Sequence, residues 1–440
     1  MRKRSRIRAG AGWLLAILFP LTFFLFSGSA LGRIYIDINA PSVQKFKAAI
    51  PDFKPLGTPV EHPELSAKLS EVLASDLDLS GYFIPLEKEA FLEEKGGGIT
   101  LEDIRFKDWS VIGAELLIKG GYTCVGNSME VEVRLFDVFW GRQIMGKRVL
   151  GDVRRYRRLM HRVGNEIIEK LTGHPGMFLT KLAFVGNGTG QKEIYRCDYD
   201  GHNVKQLTED RSICLLPRWS PDGERIMYNS YRDGGPMLYL EDLDSGRVTR
   251  VSARSGLNIG AAWAPDGKKV ALTLSLEDNP DIFLIDLNGK ILKRLTSHWG
   301  IDVSPTFSPD GKRIAFVSNR SGSPQIYVLD LITGSEQRLT FEGNYNTSPC
   351  WSVLNKIAYV SMQDGRFDIY TLDPEGGQVR RVTANNGNNE DPCWSPDGRY
   401  MVFSSNREGP YHIYLMSANG RHQRRITHER GDQTSPSWAR

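Results

Sequence analysis

The spacing of apolar positions changes character near residue 180. Beyond it, short alternating apolar runs are separated by turns rich in Gly, Pro, Asp and Asn, a pattern that predicts half-buried strands joined by tight hairpins. One stretch reads SPTFS at 304–308, RIAFVS at 313–318, QIYVLDL at 325–331 and EQRLT at 336–340. Four short antiparallel strands of this kind build one propeller blade. Before residue 180 the spacing is mixed. Helices are predicted over 63–79, with Leu65, Leu69, Val72, Leu73 and Leu77 on one face, and over 154–171, with Leu159, Val163, Ile167 and Ile168. Strands are predicted near 34–38, 114–124, 129–138 and 144–150, which makes residues 33–172 an α/β domain. The stretch 173–180, with Gly and Pro, is expected to be a linker.

The strand pattern repeats. WSPDG stands at 219–223, WAPDG at 263–267, FSPDG at 307–311, WSVLN at 351–355, WSPDG at 394–398 and a last SW at 437–438, so the aromatic residues step by 44, 44, 44, 43 and 44. A period of this length marks a repeat architecture. Pro at the second and Gly at the fourth position of Ser-Pro-Asp-Gly suit a type I turn, and a second tight turn recurs at Asp200-Gly201, Ser245-Gly246, Asn288-Gly289, Thr333-Gly334, Gly376-Gly377 and Asn419-Gly420. The first unit, at Leu182–Val185, has no aromatic strand before it, and the last aromatic strand, Ser435–Trp438, has nothing after it. Each completes the other. The expected fold is therefore an α/β N-terminal domain followed by an all-β six-bladed propeller over 181–440, closed by the C-terminal strand, with no free sheet edge left by the closure. The repeated aromatic residues are expected to pack between blades. In the fifth unit Val353, Leu354 and Asn355 replace Pro, Asp and Gly, so its first hairpin should be irregular.

Charge alters the picture only at the start of the chain. Arg2, Lys3, Arg4, Arg6 and Arg8 precede an apolar run from Trp13 to Phe26 and a small-residue stretch from Ser27 to Gly32, the composition of a signal peptide over 1–32. The run is shorter than the roughly 20 residues that span a bilayer, so no membrane span is expected once the signal is cleaved, and export from the cytoplasm follows. The whole chain has a net charge of +4, and removal of five basic residues and no acidic ones leaves about −1. Nothing remains to hold a nucleic-acid backbone, and nucleic acid drops out as a partner. Five cysteines (Cys124, Cys197, Cys214, Cys350 and Cys393) without CxxC spacing indicate neither a disulfide framework nor a zinc site. One bridge is conceivable, with Cys197 and Cys214 the pair nearest in sequence.

The residues do not assemble into catalytic motifs. G-x-S-x-G and HExxH are absent, the eight histidines are scattered, and GNGTG at 186–190 lacks the ending of a phosphate-binding loop and falls where other units carry a turn. No catalytic residue, metal or cofactor is expected. An exported propeller hydrolase or carbohydrate-binding module is the alternative to a protein-binding propeller.

RIYID at 33–37, DWSVIGAELLIKG at 108–120, VRLFDV at 133–138, HRVGNEIIEKLTG at 161–173, KLAFV at 181–185 and the repeated SPDG, taken in this order behind a signal peptide, resemble the TolB family of the Tol-Pal envelope system. The resemblance implies a non-enzymatic monomer that binds the peptidoglycan-associated lipoprotein Pal through the propeller and TolA through the mature N-terminus, supporting outer-membrane integrity and constriction at cell division. It places Pal on the segments leading into the inner strands: Leu257, Asn258, Ile259, Asp302, Val303, Ser304, Asn346, Thr347, Ser348, Glu390, Asp391, Gln433, Thr434 and Ser435. It places TolA on Arg33, Ile34, Tyr35, Ile36 and Asp37, a segment whose alternating isoleucines equally suit a first strand of the α/β domain.

Overall fold

The computed structural model describes residues 45–92, 97–276, 279–384 and 387–439. The signal peptide, the strand near 34–38 and the segment Arg33 to Asp37 lie outside the described residues. The N-terminal α/β region has strands β1 (Phe46–Ala49), β2 (Lys54–Pro55), β3 (Phe83–Pro85), β4 (Leu116–Val125), β5 (Ser128–Asp137) and β6 (Arg142–Asp152), and helices α1 (Leu65–Leu79), α2 (Phe106–Val111) and α3 (Tyr156–Thr172). The sheet order is β3-β1-β4-β5-β6, with β2 also on β4; the short strands pair in parallel and the long β4–β5–β6 meander is antiparallel. Both long helices bury the apolar faces their spacing predicts, Leu65, Leu69, Val72, Leu73 and Leu77 in α1 and Leu159, Val163, Ile167 and Ile168 in α3. The short strands β1 to β3 escape sequence reading because too few residues alternate to establish a period.

The propeller has six four-stranded sheets. The C-terminal strand Gln433–Trp438 pairs with Lys181–Gly186 as the inner strand of blade 1, so the ring closes as the unmatched strand requires. Blades 2 to 6 have inner strands Cys214–Trp219, Asn258–Trp263, Asp302–Phe307, Asn346–Trp351 and Asn389–Trp394. Each apolar cluster draws on two neighbouring blades: Ala262, Ala271 and Ile282 of blade 3 pack with Phe307, Ile314 and Phe316 of blade 4, and Ala315, Val317 and Ile326 of blade 4 with Trp351, Ile357 and Tyr359 of blade 5. An aromatic side chain removes about 200 Å² from water, about 5 kcal/mol before entropy is counted. The blades are held to one another largely by these clusters.

The first hairpin of blade 5 is a regular turn, shorter by one residue. Ser308 N–H bonds Arg313 C=O in blade 4, whereas Ser352 N–H bonds Lys356 C=O in blade 5. Asn355 takes the left-handed conformation (φ 57°) that glycine takes elsewhere, and its Oδ1 accepts from the Trp351 indole at 3.0 Å. The single step of 43 in the repeat is this deletion.

Residues 173–180 form a strap anchored by buried Met177 and Phe178. Phe178 is almost fully buried and lies against Tyr199 of blade 1, ring centroids 5.4 Å apart, and its ring also runs along α3 at Gly164, where a Cβ would stand 2.8 Å from it. The α/β region meets the propeller at the hairpin turns of blades 1 and 6: Tyr400 Oη donates to Ser80 C=O at 2.7 Å, Arg424 pairs with Asp78, and Arg157 pairs with Asp200. The described residues form one compact unit. Among the described residues no helix is long and apolar enough to cross a membrane.

Candidate functional site

The six inner strands line a central channel of about 390 Å³. Every one breaks register after its second residue, and the third residue has positive φ: Leu216 (54°), Gly260 (66°), Ser304 (55°), Ser348 (50°), Asp391 (51°) and Ser435 (52°). Five of the six carry a Cβ in a conformation that disfavours one by roughly 1 kcal/mol or more. Bulges of this type re-aim side chains at functional edges; here all six of these third residues, except Ser435, line the channel. Gly260 is the one position where the chain uses the residue that tolerates this backbone.

The residues expected to receive a partner therefore belong to the strands themselves, and they divide by depth. The first residue of each inner strand turns into the blade: Asn258, Asp302, Asn346 and Gln433 are buried. Asn258 bonds Ser252 Oγ, Arg254 and Gly256; Asn346 bonds Gln325 and Glu342 C=O; Gln433 bonds His412 and the carbonyls of Glu429, Arg430 and Gly431. Asp302 pairs with Arg320 at 2.7 Å; burial raises its carboxyl above the ordinary range against the pull of Ser318 and Arg320. Their partners belong to a repeated device, in which buried Thr208, Thr296, Thr340, Thr383 and Thr427 each accept the backbone N–H of an isoleucine in the third strand of their blade. The sequence signal was available as QLT at 206–208, RLT at 294–296 and 338–340, RVT at 381–383 and RIT at 425–427. The second and third residues, with Leu257 before them, are half-buried: Ile259, Val303, Ser304, Thr347, Ser348, Glu390, Asp391, Thr434 and Ser435; of these Ser304, Ser348 and Asp391 line the channel, and Val303 packs against the apolar cluster between blades 4 and 5.

The charge at the mouth is local. Glu390 accepts from Tyr411 Oη at 2.6 Å, and burial raises its carboxyl while pushing the Tyr411 phenol up to about 12. Asp391 accepts from both N–H and Oγ of Ser435 at 3.1 Å, bridging blade 6 to blade 1. Deeper in, Arg218 is the one basic residue of the lining.

Around this mouth the loops present apolar side chains that the repeat pattern did not single out. Trp299 is 73% exposed and Phe341 74%, with Ile213, Leu276, Ile301 and Tyr345 beside the inner strands of blades 2 to 5. They precede inner strands or connect second to third strands, at the end of the blades opposite the hairpin turns that hold the α/β region. An apolar arc around a channel mouth suits a protein partner, whose burial of aromatic anchors carries most of the binding energy.

One buried cluster has donor atoms spaced as for a metal: Asp76, His161 and Asp200, within 4.8 Å of one another. Most of its polar atoms are already paired, although His161 Nε2 stands 3.6 Å from Asp200 Oδ2 without a hydrogen bond. His161 Nδ1 lies 2.9 Å from Asp76 Oδ2, Tyr199 Oη donates to Asp76, and Arg157 pairs with Asp200. The arrangement is an ion-pair joint between α1, α3 and blade 1, with Arg157 supplying a cation of its own.

The TolB beta propeller domain matches residues 168–440 and the TolB amino-terminal domain residues 34–144. The chain is 46% identical over 231 residues to a Tol-Pal system protein TolB of Desulfosudis oleivorans, covering 52% of this chain and 51% of that one, and 44% identical over 194 residues to one of Syntrophotalea carbinolica, covering 44% and 45%. These matches span about half the length of the curated relatives. The crystal structure of TolB from Acinetobacter baumannii superposes with a TM-score of 0.80 at 29% identity, over 92% of this chain and all of that one.

Proposed function

The chain belongs to the TolB family, and from that premise we propose that it is a periplasmic adaptor of the Tol-Pal system, binding Pal at the channel mouth and TolA through the segment Arg33 to Asp37. The observation that carries the reading is the uncovered apolar arc of Trp299, Ile301, Phe341 and Tyr345 around the channel mouth, on the opposite end of the propeller from the α/β region. Pal would bury the arc and meet the half-buried polar groups at Ser304, Thr347, Ser348, Glu390, Asp391 and Thr434 within it. A monomer suits this role, because the ring is closed by the C-terminal strand. Domain limits of 33–172 for the α/β part, 173–180 for the strap and 181–440 for the propeller go with it. Supporting outer-membrane integrity and constriction at division would follow from joining the two partners.

Calorimetric titration of the chain with Pal from the same organism tests the first contact, and saturable one-to-one binding is expected; no heat at tens of micromolar protein would reject it. Deleting residues 33–37 should remove TolA binding while leaving the melting temperature and Pal affinity in place. Unchanged TolA affinity would reject the second contact.

A further inference from the structure

The wall of the channel holds a positive charge that no acidic group of the protein answers. Arg218, the fifth residue of the inner strand of blade 2, is half-buried and lines the channel. The one hydrogen bond of its guanidinium runs from Nη1 to the C=O of the adjoining Pro217 at 2.9 Å, and among the described residues no carboxylate pairs with it. Drawing a guanidinium partly out of water without a counter-charge costs free energy that an arriving anion would recover. Only one other charged residue lines the channel, Asp391, at the third place of the blade 6 strand; its carboxylate is engaged by the N–H and Oγ of Ser435.

The fifth places of the six inner strands are Arg218, Ala262, Thr306, Cys350, Cys393 and Ser437, and all but Ser437 line the channel. All five cysteines of the chain are free, and the bridge between Cys197 and Cys214 is not formed, so Cys350 and Cys393 stand in the wall as thiols. Blade 5 lies opposite blade 2 in a ring of six, and on it and on blade 4 the lining carries the hydroxyls of Ser304, Thr306 and Ser348. Thr306 Oγ1 accepts from Trp351 N–H at 3.2 Å, which leaves its own proton to donate. The hydroxyls of Ser304 and Ser348 make no hydrogen bond among the described residues. Pro305, Pro349 and Pro392 give the wall apolar surface between these groups. A cavity of about 390 Å³ with apolar walls and a few convergent polar groups has the size and character of a small-molecule site.

We propose that the channel binds a small organic monocarboxylate, its carboxylate held by the Arg218 guanidinium and its apolar body lying against the proline wall. The guanidinium fork matches a carboxylate in two parallel hydrogen bonds. Asp391 in the same cavity opposes a second negative charge, which favours a monoanion over a phosphate dianion. The hydroxyls of Ser304, Thr306 and Ser348 are placed to meet a polar substituent at the far end of the ligand. The site lies within the channel wall and requires no protein partner at the mouth.

The test is calorimetric titration of the native full chain with sodium benzoate, with benzyl alcohol as its neutral counterpart, and with inorganic phosphate at a mildly alkaline pH where it is mostly a dianion. Saturable one-to-one binding of benzoate is expected, with benzyl alcohol and phosphate each weaker by about tenfold or more. Arg218→Met keeps the apolar stem and drops the charge, and should weaken benzoate by about tenfold or more. Arg218→Gln gives the same reading if the methionine variant misfolds, as thermal melts of the free proteins would show. Benzoate heat that does not saturate, benzyl alcohol or phosphate bound as tightly as benzoate, or a folded Arg218 variant that binds benzoate as tightly as the parent would overturn the proposal.

Discussion

Asp200 is the residue on which the joint between the α/β region and the propeller turns. Burial alone would raise its carboxyl, but His202, His161 and Arg157 overcome that and hold it far below its ordinary 3.8. Asp200→Asn leaves Arg157 without its anion, a loss that should cost about 3 kcal/mol in urea unfolding. The same site gives stability a pH signature. The Asp200 contribution is present above its unfolded value of 3.8 and is lost as pH falls toward its depressed folded value. His202, raised by its hydrogen bond to Asp200, contributes fully below 6.5 and loses that contribution as pH rises through its folded value. Both are present between 3.8 and 6.5. Melting temperatures across pH should decline on either side of that window, less steeply on the alkaline side because His202 is half-exposed and screened, and Asp200→Asn should flatten the alkaline decline. At the mouth, Ser348 sits at φ 50°. A β-branched side chain fits this backbone poorly, so Ser348→Val should lose about 1 to 2 kcal/mol while Ser348→Gly stays near neutral; paired thermal melts would show the difference. Residue type alone did not reveal which site positions point outward. Asn258, Asp302, Asn346 and Gln433 are polar and precede the aromatic repeat, as a binding rim would, but the bulge after the second residue sends them into the blade.

Among the elements, the closing strand has the largest consequence. Gln433–Trp438 supplies the inner strand of blade 1, and Trp438 is buried with its indole donating to Thr180 Oγ1 at 2.8 Å. Removing residues 433–439 should expose the edge of Lys181–Gly186 and produce aggregation visible by light scattering, whereas Trp438→Ala should keep the ring and cost about 3 to 5 kcal/mol in equilibrium unfolding. Strand and helix limits in the repeat and the long helices were legible because their periods run through several residues. The pairs β1–β3 and β1–β4 were not, since parallel partners distant in sequence leave no local mark. The blade 5 hairpin shows the limit of motif reading: the loss of Pro, Asp and Gly suggested an irregular turn, yet one fewer residue and an asparagine able to adopt positive φ restore a tight turn.

For the whole molecule, attachment of the α/β region to the turns of blades 1 and 6 leaves the opposite mouth of the channel open, with its aromatic residues exposed. If that mouth receives Pal, Trp299→Ala and Phe341→Ala should each weaken Pal about tenfold or more, roughly 1.4 kcal/mol or above, without a shift in melting temperature; calorimetry of the variants against the parent checks it, and unchanged affinity in both would move the contact elsewhere. The sequence by itself determined the blade count, the closure and the division into an α/β part and a propeller, because a repeat of fixed period and an unmatched strand admit one ring. Only the tertiary structure decided which polar residues face the channel and which end of the propeller is free. Those depend on bulges, on contacts between strands 43 or 44 residues apart and on the docking of α1 and α3, none of which has a period along the chain.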